Sequence, residues 1–320
     1  MKQVTSIGLV NNMGDEALSV TERQFSDLLN AAAGDREVRL HVFAFQHRSR
    51  SPAALRYINT RCKPASSIPD YKLDGLIITG APPQSSRLCD ESYWRELVEI
   101  IDWAKSNTTS VILSCLAAHA GVLHLDGIER RRLGEKCFGV FTFTAQRDHP
   151  LVGRRGSTRV APHARHNELL PSDLEYAGYD ILTSSPRHGV DVFTKSFGSL
   201  FVFLQGHPEY DATRLAREYR RDLGDTFRHF NGDALRPPSA PKGYFAIEHE
   251  PELQLLERRV LANPSSLTAE DLSIIDARTP SMAIWRDDAV SFYRGWIDEI
   301  VAPIHPALRA FPSKTFPLFN

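Results

Sequence analysis

Val111-Ile112-Leu113-Ser114-Cys115-Leu116-Ala117-Ala118-His119-Ala120-Gly121 changes character at its fifth residue. Val111, Ile112 and Leu113 read as a buried strand, and after Cys115 the small residues Ala117, Ala118, Ala120 and Gly121 let a helix lie close against a sheet. A strand that turns into a helix at a cysteine has the layout of a nucleophile elbow. Its thiol stands near the positive end of the new helix, which favours the thiolate. For a lone cysteine, an inert packing role is the plainer explanation. A reactive one needs a base.

Gly206-His207-Pro208-Glu209-Tyr210-Asp211 supplies that base, because it follows a second buried run, Leu200-Phe201-Val202-Phe203-Leu204, and leads into a helical pattern. Pro208 fixes the backbone between His207 and Glu209, so the carboxylate can hold one imidazole nitrogen while the other faces a reacting group. This is the base and orienter half of a triad, and with Cys115 it makes a complete set. A third run, Leu73 to Thr79, enters Gly80-Ala81-Pro82-Pro83-Gln84. Ligands of open α/β sheets bind beyond the carboxyl ends of strands, so this loop is either a site element or a plain Gly-Pro turn.

Outward from these stretches, apolar runs alternate with amphipathic segments, the pattern of a mostly parallel sheet with helices on both faces. Ile7 to Val10 and Val38 to Phe45 read as strands. Thr21 and Gln24 are spaced to cap a helix carrying Phe25, Leu28 and Leu29. Glu91 to Lys105 carries Trp94, Leu97, Val98, Ile101 and Ala104 at helical spacing. Residues 46–69 read as surface loop with a short helix near Ala53 and solvated arginines. His119 and His124 read as packing or surface residues.

The 320 residues, 42% of them hydrophobic, suffice for one large α/β domain with an appendage. A formal net charge of −1 with interspersed signs points to small-molecule partners and away from nucleic acid or a membrane surface. The four cysteines, Cys62, Cys89, Cys115 and Cys137, form no CxxC pair, which favours a reducing, cytoplasmic setting over disulfides or zinc. No apolar run approaches the ~18 residues of a membrane span, and the amino-terminal stretch is too short and polar for a signal peptide.

Residues 1–233 are expected to form the α/β domain, 234–280 a proline-rich and helical insertion, and 281–320 a terminal helix and tail. Arg236 to Pro241 reads as a linker, Glu252 to Ala262 as a helix closed by Asn263-Pro264, and Thr268 with Asp271 as the cap of another. Ala289, Phe292, Tyr293, Trp296, Ile297 and Ile300 define a last amphipathic helix. It suits either a return to the main domain or a homodimer contact.

The set Leu76 to Pro82, Cys115 ahead of its alanine-rich helix, Glu135-Lys136, Ala161 to Arg165, Gly206 to Asp211 and Glu218 to Asp222 resembles the homoserine O-acyltransferases. These enzymes of methionine biosynthesis use a class I glutamine amidotransferase-like, flavodoxin-like fold. The resemblance covers roughly residues 5–230 and resumes from Thr279 to Trp296. It implies a ping-pong reaction: Cys115 takes a succinyl or acetyl group from acyl-CoA as a thioester and passes it to an amino-acid hydroxyl, with His207 as base and Glu209 as orienter. It also implies Lys136, Ala164, Arg165, Glu218 and Arg221 as amino-acid contacts and Gln84 as the acyl-donor selector. No metal or bound cofactor is called for; acyl-CoA is a co-substrate. The chemistry is coherent on its own terms, with Ala81 and Leu116 amides as the oxyanion hole. Glu218 and Arg221, three apart on a helix, also share a face by spacing alone.

Three positions depart from the family's pattern, and the last two bear on specificity. Gly14-Asp15-Glu16-Ala17 replaces a lysine-bearing loop, Ala164 stands where serine is usual, and Gln84 is neither the glycine nor the glutamate that separates succinyl from acetyl users. Ala164 leaves serine open as an acceptor. The competing readings are a glutamine-hydrolysing enzyme of the same fold, whose glycine-flanked cysteine Ser114-Cys115-Leu116 lacks, and a non-catalytic binder of amino acid or CoA.

Overall fold

The apolar runs become neighbouring strands of one sheet. The computed structural model describes residues 4–228, 239–263 and 266–302. Within them lie β1 (Val4–Val10), β2 (Glu37–Ala44), β3 (Lys63–Pro64), β4 (Gly75–Thr79), β5 (Ser110–Ser114), β6 (Arg131–Ala145), β7 (Thr158–Glu168), β8 (Asp180–Ser185), β9 (Gly189–Phe197) and β10 (Ser199–Leu204). They are ordered β3-β2-β1-β4-β5-β10-β9-β8-β6-β7. The first six of that order run parallel, and the remaining four continue the sheet antiparallel. The antiparallel arm, residues 131–197, was not anticipated, although Gly153, Gly156 and Gly189 stand at its turns with positive φ.

Alternate side chains of the central strands enter two different cores, as the two-residue period of a strand requires. Leu76, Ile78, Val111, Leu113, Phe201 and Phe203 pack beneath α3 (Trp94–Asn107) and α4 (Leu116–Asp126). Ile77, Ile112, Val202 and Leu204 pack on the other face beneath α1 (Leu18–Ala33) and α9 (Arg286–Val301). Burial on both faces explains why these strands read as unbroken apolar runs. The remaining helices are α2 (Pro52–Arg61), α5 (Pro171–Tyr176), α6 (Arg214–Arg228), α7 (Glu250–Ala262) and α8 (Ala269–Ala277).

The terminal helix returns to the main sheet. Trp296 donates its indole N–H to Ser110 Oγ at 2.9 Å, and Gly75 admits the ring, since a Cβ there would lie 2.9 Å from it. α7 and α8 bury Leu253, Leu256, Val260 and Ile275 against Leu215, Tyr219 and Leu223 of α6, and Thr268 and Asp271 form the expected reciprocal cap. Arg236, Pro237, Pro238 and Pro264 lie outside the described residues.

Two expectations are corrected. Thr21 and Gln24 do not cap α1; the helix begins at Leu18 after a short 3-10 turn, both residues are buried within it, and Gln24 donates to Asp211 at 3.0 Å. The arginines after β2 are not all solvated: the Arg50 side chain is 1% exposed, donates to the Met13 carbonyl and pairs with Asp15 at 3.1 Å, while Arg48 donates to the Asn12 carbonyl and lies over the Tyr93 ring. Both brace the loop after β1, where Gly14-Asp15-Glu16-Ala17 sits.

Two histidines lie buried under the carboxyl end of the sheet. His119 Nε2 meets Gln205 Oε1 at 3.0 Å, and His163 Nε2 faces Asp191 Oδ1 at 3.2 Å. Burial pushes His119 down to about 3 and His163 down to about 4, the latter despite Asp191. Each is therefore neutral when folded, whereas the unfolded chain takes up a proton near 6.5. Stability should fall as pH drops from 6.5 towards 4, by at most about 1.4 kcal/mol per pH unit for each histidine. Urea midpoints across that window test this, and His119→Gln should make the dependence shallower.

Candidate active site

Three adjacent strand ends build the site. β4, β5 and β10 are neighbours in register, Thr79 beside Ser114 and Ser114 beside Leu204, so the residues that follow each strand emerge together. The Cys115 amide donates to the Leu204 carbonyl at 2.7 Å, carrying the ladder one residue past β5. Cys115 then turns sharply into α4 with φ 52° and ψ −112°, the one positive φ outside glycine among the described residues. Strain of this kind persists only where the surroundings over-determine it. Gly80 is part of that constraint, because a Cβ on it would sit 2.7 Å from the Leu116 nitrogen and 2.9 Å from that of Ala117.

His207 leaves the end of β10 with its amide held by the Pro162 carbonyl at 2.8 Å. Its ring is buried and stacks on Tyr210 at 4.2 Å. Nδ1 lies 2.8 Å from Glu209 Oε1, which leaves Nε2 free to face the cleft that Cys115 also lines. Burial opposes the imidazolium, but the negative charge of Cys115 and of Glu209 outweighs it and holds His207 well above its ordinary value.

The far side of this set is braced by α9 and β7. Trp285 donates to the Tyr210 carbonyl at 2.9 Å, and the Val160 amide donates to Asp288 at 2.7 Å. Tyr293 lies close enough to Glu209 and Arg159 for their charges to act on its phenol, which stays protonated well above its usual range, chiefly through burial.

A cleft of about 940 Å³ opens over Cys115 and His207. Of the residues expected from sequence, Ala81, Leu116, Lys136, Ala164, Arg165, Glu218 and Arg221 all line it, and Glu209 stands behind His207. Gln84 does not line it: its side chain is exposed, its neighbours Pro83 and Ser85 form the wall, and the amides of Gln84 and Ser85 both donate to Glu91 Oε1 at 2.7 Å. Glu91, expected within a helix, instead staples this loop.

The expected charge pair is part of a larger lattice. Glu218 is buried and accepts from the Tyr210 hydroxyl at 2.7 Å, with Arg214 Nε at 3.3 Å and Arg221 at 4.0 Å. Arg221 also bonds Asp222 at 2.8 Å, and Asp222 pairs with Lys136. Arg165 is tied to the Asn167 and His188 carbonyls. Tyr210, Arg214 and Asp222 were missed; the four-residue spacing from Arg214 to Glu218 was a readable signal, whereas the contact of Lys136 with Asp222 joins a strand to a distant helix. His119, expected to pack, also reaches the cleft wall.

Comparison with known proteins agrees with this architecture. A family model described as homoserine O-succinyltransferase matches residues 2–306. The chain is 44% identical over 302 residues to a homoserine O-succinyltransferase of Rhodopseudomonas palustris, spanning 92% of this chain and 88% of the relative. It is 43% identical over 293 residues to one of Bradyrhizobium japonicum, spanning 91% and 89%. Among solved structures, a glutamine amidotransferase from Methylobacillus flagellatus superposes with a TM-score of 0.50 at 14% identity over 93% of this chain and 95% of its own, a likeness of fold alone. With the family model and both relatives running nearly end to end, the chain belongs to the homoserine O-succinyltransferase family.

Proposed function

We propose that the chain moves a succinyl group from succinyl-CoA to the side-chain hydroxyl of homoserine through a thioester on Cys115. The observation that carries this reading is the placement of Cys115 and His207 on one cleft rich in cations, with Glu209 bonded to the His207 ring behind it. In the first half, the Cys115 thiolate attacks the thioester carbonyl, the bond from carbon to the CoA sulfur breaks, and the His207 imidazolium returns a proton to the departing thiolate. In the second half, His207 takes the acceptor hydroxyl proton as oxygen attacks the acyl carbon, and Cys115 leaves as thiolate. Exchange of one thioester for another is nearly isoenergetic, so the acyl-enzyme stays reactive. The amides of Ala81 and Leu116, beside the thiol, are proposed to receive the oxyanion.

For the acceptor, Glu218 is proposed to meet the ammonium and Arg221, with Lys136 beside it, the carboxylate. Arg165 and Ala164 form the adjoining wall. Ala164 offers no hydroxyl, so serine is the acceptor against which homoserine is to be compared. Among the described residues no helix is long and apolar enough to cross a membrane, and we propose a cytoplasmic enzyme.

Initial rates over both substrates should give parallel double-reciprocal lines; intersecting lines, the mark of a ternary complex, would contradict the thioester route. Glu209→Gln should retain part of the activity, since orientation contributes less than the nucleophile. Arg221→Ala should raise the homoserine KM and lower kcat/KM by about tenfold or more, as loss of a charge-assisted hydrogen bond requires; unchanged acceptor kinetics would remove Glu218 and Arg221 from the site. Glutamine hydrolysis that proceeds without acyl-CoA, at a rate above acyl transfer, would favour the amidotransferase alternative.

A further inference from the structure

A succinyl group differs from an acetyl group by a carboxylate two methylenes beyond the carbonyl. Drawing that carboxylate into a cleft is favoured by a cation that neither the protein's own anions nor the acceptor already occupies. Most of the cleft's cations are committed. Lys136 pairs with Asp222, Arg214 with Glu218 at 3.3 Å and Arg221 with Asp222 at 2.8 Å, while Arg165 is tied to two backbone carbonyls. Arg87 and Arg132 line the cleft with exposed side chains. There they suit the phosphates of CoA, which the long pantetheine arm holds far from the thioester.

Arg130 is different. It follows α4, is half-buried, lines the same cleft as Cys115, and makes no hydrogen bond or ion pair among the described residues. The charges it meets are Tyr93, Cys115, Glu129 and Glu91. Glu129 is exposed, and Glu91 spends one oxygen on the amides of Gln84 and Ser85. Burial pulls the Arg130 guanidinium below its ordinary range, with those neighbours offsetting only part of the effect. A group in that condition gains from an incoming anion, and its planar fork matches a carboxylate in two-point contact.

We propose that Arg130 binds the distal carboxylate of the succinyl group and thereby selects the donor, an inference that rests on the acyl-transfer reading of the same site. The geometry assigns to Arg130 the part that sequence reasoning assigned to Gln84.

The test is kcat/KM for succinyl-CoA and for acetyl-CoA, at saturating homoserine, in the wild type, Arg130→Gln, Arg130→Lys and Gln84→Glu. Arg130→Gln should lower the succinyl-to-acetyl ratio by about tenfold or more. Arg130→Lys should fall between it and the wild type, because the charge is kept but the fork is lost, and Gln84→Glu should shift the ratio less than Arg130→Gln. An unchanged ratio, or equal losses on both donors, would overturn the proposal by showing that Arg130 serves the fold or the CoA portion common to both. A wild type that prefers acetyl-CoA would overturn it while leaving acyl transfer standing. A wild type that transfers neither group would overturn the parent reading together with this one.

Discussion

The hydrogen bond from the Cys115 amide to the Leu204 carbonyl is the contact on which the site depends. It exists because β10, about ninety residues later in the chain, inserts as the parallel neighbour of β5 with Ser114 opposite Leu204. One face of that pairing buries Val111, Leu113, Phe201 and Phe203, and the other Ile112 and Val202. A one-residue slip would exchange the two faces of β10, so the packing of both cores sets the register. The same register puts His207 beside Cys115. On the opposite side of β5, β4 delivers Gly80 against the first turn of α4, where any Cβ would force the backbone apart.

Electrostatics then acts on groups that geometry has already assembled. His207 is buried, and an isolated imidazolium there would be disfavoured; the charges of Cys115 and Glu209 reverse that preference. Glu209 in turn belongs to a region braced by α9, through Trp285 and Tyr293, and by β7, through Arg159. The terminal helix, which could have been a mere appendage, closes the core beneath the central strands and reaches the back of the turn that carries His207 and Glu209. The proposed acceptor side works in the same way: Glu218 and Arg221 are held by Tyr210, Arg214 and Asp222, so the charges are set before any ligand arrives.

What could be read from sequence was local chemistry on regular elements. The turn at Cys115, the His207 and Glu209 pair, the spacing of Glu218 and Arg221, and the cap of α8 all lie within a few residues and obey short periodicities. The antiparallel arm from Arg131 to Phe197 was not read, because its strands mix charged and apolar residues and, although β6 with β7 and β8 with β9 pair as sequence neighbours, the β6–β8 join is made at long range. Arg48 and Arg50 were misjudged for the same reason: their acceptors, Asn12, Met13 and Asp15, belong to the preceding strand-to-helix loop. The surroundings of Gln84 were not legible either: Glu91 gathers the loop amides, and the Gln84 side chain ends at the surface.

The central claim is that Cys115 carries the acyl group, and intact-mass analysis with peptide mapping after brief incubation with succinyl-CoA, before any acceptor is added, tests it most directly. The account predicts a mass increase of one succinyl group on the peptide containing Cys115, discharged when homoserine is added and absent in folded Cys115→Ala. An unmodified protein that nonetheless turns over with both substrates, or a folded Cys115→Ala variant that remains active, would contradict it.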